Sequence, residues 1–219
     1  MIFKSKVLIT VLAVLFVFAS CKKSNSTSSN NNNSNNNNSN TNNDSTAYTY
    51  YYQATINDTV YKQTCTATNN YIPGSSLDGG GPSASFSADI APDADSIPLN
   101  ETAFGITKGV YLDYTDVTDS SFKAFFSPGV YPFAASFGAS GITIGWTDKA
   151  GVDWESNNAP GTQTGSNFTI TKVENTTGAS YNGTYYITVT ATFNCTLYDG
   201  NGNSRTVTNG TFVGIFGEI

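Results

Sequence analysis

The 219-residue sequence contains no histidine, one methionine and three cysteines, and its ten Lys/Arg are outnumbered by sixteen Asp/Glu. Without histidine there is no Ser-His-Asp or Cys-His nucleophile activation, no imidazole general base and no histidine-bearing zinc site. Three cysteines are too few for a thiolate cage around a metal. The scarcity of Lys and Arg argues against nucleic acid, whose binding rests on neutralising phosphates. Over residues 48–219 the balance is six Lys/Arg against fifteen Asp/Glu, a net charge of −9, with no basic cluster. Acidity of this kind serves solubility. The sequence points to no cofactor and no metal.

A long apolar run is also missing. The most apolar stretch, Val7 to Ala19, has thirteen residues with only Thr10 polar, short of the roughly 20 needed to cross a bilayer core. Lys4 and Lys6 precede it and small residues close it, the order of a secretory signal. Its end, Phe18-Ala19-Ser20-Cys21, resembles the lipobox of bacterial lipoproteins. That resemblance implies a signal peptide over residues 1–20 and a mature chain beginning at Cys21. It implies a membrane anchor of acyl chains such as palmitate on that cysteine, and several chains together hold a protein stably.

From Lys22 to Thr46 there is no aliphatic or aromatic side chain, only an Asn/Ser-rich tract. Such a segment cannot bury enough surface to offset its ordering entropy. Residues 21–47 therefore read as the lipidated cysteine and a disordered tether. Its 25 or so flexible residues would reach about 25–30 Å on average.

Residues 48–219 then form a single domain. The stretch TYYITVTATFNCTL, Thr184 to Leu197, alternates with period two: Tyr185, Ile187, Val189, Ala191, Phe193, Cys195 and Leu197 share one face. This is the pattern of a half-buried antiparallel strand. SASFSADI repeats it with Ala84, Phe86, Ala88 and Ile90, GITIGW with Ile142, Ile144 and Trp146, and NFTITKVE with Phe168 and Ile170. Asn57-Asp58, Asp148 to Gly151, and Asp199 to Gly202 supply turns, and Asn209-Gly210 a turn or bulge. No window carries a helical apolar period over ten residues. The expected fold is all-β, an antiparallel β-sandwich, with a lipocalin-like closed β-barrel as the alternative. Long loops are expected over Thr68–Pro82, Ala91–Glu101 and Ser156–Ser166.

Four groups of residues are candidates for chemistry. Cys65 and Cys195 lie on apolar strand faces of an exported chain and could form a disulfide. Tyr51, Trp146 and Trp154 could stack on sugar rings, although aromatics are equally favoured as core fillers. Asp93 with Asp95, and Asp113 with Asp116 and Asp119, could pair as hydrolytic carboxylates, or simply be solvated. Asp199, Asn201 and Asn203 begin like a calcium loop, but Ser204 and Gly210 stand where the required Gly and bidentate Glu would be.

Lipobox, Asn/Ser tether and a Tyr-, Thr- and Gly-rich β domain together resemble the uncharacterised lipoproteins of Bacteroidota. The segment ITKVENTTGASYNGTYYITVTATFNCTLYDGNGNSRTVTNGTF, Ile170 to Phe212, is similar to the closing hairpin of one such β-sandwich family. The resemblance implies an outer-membrane lipoprotein of the cell envelope without a catalytic residue to carry over. Lys22-Lys23 after the cysteine, in place of acidic residues, points to a periplasm-facing protein. The expected role is a non-catalytic binding or structural accessory, held to the membrane by its lipid and meeting an envelope glycan or protein partner. A carbohydrate-binding accessory and a carboxylate-dependent glycan hydrolase are the alternatives.

Overall fold

The computed structural model describes residues 49–79, 83–158, 162–176 and 184–218. The expected signal, Cys21 and the whole of the tether (residues 21–47) lie outside them. Within them the chain is all-β and antiparallel, as its alternation implies. The strands are β1 (Tyr51–Ile56), β2 (Thr59–Thr64), β3 (Tyr71–Gly79), β4 (Ser83–Pro92), β5 (Ala103–Leu112), β6 (Gly129–Val130), β7 (Gly141–Thr147), β8 (Asp153–Glu155), β9 (Asn167–Asn175), β10 (Tyr185–Tyr198) and β11 (Ser204–Glu218). They hydrogen-bond in the order β2-β1-β11-β10-β8-β7-β5-β4-β3, with β9 also beside β10 and β6 beside β9. This one sheet curls into a half-barrel whose two limbs face each other across a shared core. The limbs meet again where Gly217 N donates to Ser75 Oγ (2.8 Å).

Two local rules set the register. Asn57 and Asp58 both take positive φ (43° and 64°), the backbone of a two-residue hairpin turn whose twist matches its strands. Opposite the middle of β1, Asn209 (φ 53°) sits in a bulge where the β10–β11 pairing slips between Phe193 and Cys195. Gly210 follows because a Cβ there would strike the Phe193 ring. The bulge bends the two longest strands and so contributes to the curl.

The core is built from the expected inward residues. Phe104 stacks between Tyr52 (centroids 4.9 Å apart) and Phe193 (5.4 Å), and Phe193 in turn lies 6.2 Å from Phe168. Rings from both limbs thus form one continuous stack. Each buried ring removes on the order of 150–250 Å² from water, and this burial contributes most to holding the limbs together.

Three features depart from the sequence reading. Tyr71–Gly79, expected as loop, is a strand at the end of the hydrogen-bonded order, where Pro73 is tolerated because only one neighbour needs its backbone. A helix, α1 (Asp119–Phe125), is capped by Thr118 and Ser121, each side chain bonding the other's backbone. It packs Phe122 and Phe126 on Phe86 across the half-barrel. Thr188, expected outward, is buried because its hydroxyl bonds that of Thr176 (2.9 Å).

Candidate functional site

The two tryptophans are not binding platforms. Trp146 on β7 and Trp154 on β8 are direct cross-strand partners, and each is only 4% exposed. Tyr61 lies edge-on to Trp146 at 5.0 Å. Trp146 Nε1 lies near the Tyr52 hydroxyl without forming a full hydrogen bond. Trp154 Nε1 donates to Asp148 Oδ2 (3.0 Å), and the Arg205 guanidinium covers its ring at 4.5 Å. Turn, strand and cation therefore consume the surfaces a sugar would need. Tyr51 alone remains half-exposed, with Lys62 6.0 Å from its ring. It sits on the face of β1 opposite the core and so does not join the indoles.

The cysteines do not pair. Both Cys65 and Cys195 are free thiols. Cys65 N donates to Tyr50 O (2.8 Å), whereas Cys195 is level with Val207 and, through it, with Ile56. Six residues along β1 separate those levels, roughly 20 Å at about 3.3 Å per residue. A disulfide tolerates about 7 Å between Cα atoms. Burial raises both thiols, Cys65 to about 11 and Cys195 further.

The acidic side chains divide by position. Asp93, Asp95, Asp113 and Asp116 are exposed. Asp199 serves its own loop, with Oδ1 accepting from Asn201 N (2.8 Å) and Asn203 N (3.0 Å) and Oδ2 from Asn203 Nδ2 (2.6 Å). Those bonds, the Asn203 side chain first, hold its carboxyl below the usual range. Asp119, at the start of α1, faces Glu218 near the end of β11. Burial and the Asp119 charge raise Glu218, whose Oε2 is buried. As two carboxylates the pair has no donor; a proton on Glu218 lets it bond Asp119. Among the described residues no group of three or more Cys, Asp or Glu gathers as metal ligands would.

On the outer face of β4, Asp89 stands between Gly74 and Gly105 of the neighbouring strands. Its carboxylate folds over Gly74, where no Cβ could fit. Burial pushes it up to about 6, partly offset by a hydrogen bond from the Gly74 backbone.

The most unusual group in the core is Lys108. Alternation along β5 points it inward with Phe104 and Ile106, and it is only 6% exposed. Its ammonium lies over two rings, 3.9 Å from the centre of Tyr131 and 4.1 Å from that of Phe125 at the end of α1. Among the described residues no carboxylate pairs with it. Burial pulls its pKa down to about 8. Its stem lines a narrow, partly open cleft between the limbs, formed otherwise by apolar side chains including Ile106, Phe126, Ile142, Phe168 and Phe216. The signal for this site is present in FGITKGVY, where a lysine occupies an inward position of an apolar strand.

No family model, curated protein or solved structure matches this chain. Its function has to be read from its own residues.

Proposed function

We propose that the chain is an outer-membrane lipoprotein of the cell envelope, periplasm-facing, whose β domain is a non-catalytic binding or structural accessory. The observation that carries the reading is the seam at Phe18-Ala19-Ser20-Cys21. There a basic start, a short apolar stretch and small residues meet a single cysteine in the order that export and acylation require. The asparagine–serine tract after it would act as a tether between lipid and domain. The likeness to Bacteroidota lipoproteins points the same way.

The other two readings draw less support. A sugar-stacking accessory would rest on Trp146 and Trp154, whose faces are occupied. A glycan hydrolase needs two carboxyls about 5 Å or more apart, flanking the bond to be cut. Asp119 and Glu218 are close enough to share a proton, which leaves no room for a glycosidic oxygen between them.

The test is metabolic labelling with an alkyne fatty acid in a Gram-negative host, followed by membrane fractionation. The native chain is expected to be labelled and to sediment with outer membranes, and Cys21→Ala to be unlabelled and released. Equal absence of label from both would overturn the proposal.

A further inference from the structure

We draw no further inference here: the strongest candidate, the strip on the outer face of the sheet where Gly105 and Gly145 stand side by side between Asp89 of β4 and Glu155 of β8, is a stripe of small residues between two carboxylates, and nothing in the structure shows what covers it.

Discussion

The ammonium of Lys108 lies 3.9 Å from the centre of the Tyr131 ring, closing the gap between β5 and the segment that follows α1. An unneutralised cation in that position lowers stability, because its hydration is lost and only ring faces replace it. Lys108→Met, which keeps the stem and removes the charge, is expected to raise the unfolding free energy at pH 7 by about 1–3 kcal/mol. The pH dependence has a definite sign. With a folded pKa of about 8 against an ordinary 10.5, the unfolded chain holds more protons between those values. The stability of the native protein on this account rises with pH across the window. The gap between the variant and the native protein should therefore narrow from pH 8 to pH 10.5, as urea titrations at each pH would record. A Lys108→Met chain that is less stable at pH 7 would contradict this.

Asp89 gives the same kind of test at the acid end. Its carboxyl is raised from an ordinary 3.8 to about 6, so between those values the folded chain holds more protons and stability falls as pH rises. Asp89→Asn, which still accepts from the Gly74 backbone, is expected to stabilise by about 1–2 kcal/mol at pH 7 and to lose that advantage below pH 4. Urea midpoints from pH 4 to 7 measure both.

The tryptophans distinguish a core from a platform. Trp146→Ala and Trp154→Ala are each expected to cost on the order of 3–5 kcal/mol, because each leaves a cavity in a packed interior. A loss of under about 0.5 kcal/mol, typical of an exposed residue, would place the indole outside the core.

The thiols answer to alkylation. Protein denatured without reductant should take up iodoacetamide at both Cys65 and Cys195, as free thiols do. In the native state Cys65 should react slowly and Cys195 not at all, since burial disfavours the reactive thiolate. A peptide containing both cysteines joined would refute the register that separates them.

These outcomes also mark what is legible in the sequence. The seven inward residues of β10 can be read because each alternate position is apolar and the partner positions are polar. The turn at Asn57-Asp58 is legible because only a few residue types tolerate two successive positive φ values. β3 is hidden because Pro73, Gly74 and Ser75 carry no apolar alternation; the strand is held by its ladder to β4 rather than by its own side chains. At seven residues, α1 is too short to show a helical period. The tryptophans cannot be placed from the sequence because an exposed and a buried indole look identical in a strand, and only Asp148 and Arg205, across a turn or distant in the chain, decide between them. The facing of Asp119 and Glu218 joins residues 99 positions apart, which no local pattern can reveal.

The central claim is the N-terminal anchor, and the intact mass of the protein recovered from bacterial membranes tests it most directly. The account expects a chain beginning at Cys21, heavier than residues 21–219 alone by a diacylglyceryl group and an amide-linked acyl chain. A chain that retains residues 1–20, or one that begins at Cys21 with no added mass, would contradict it.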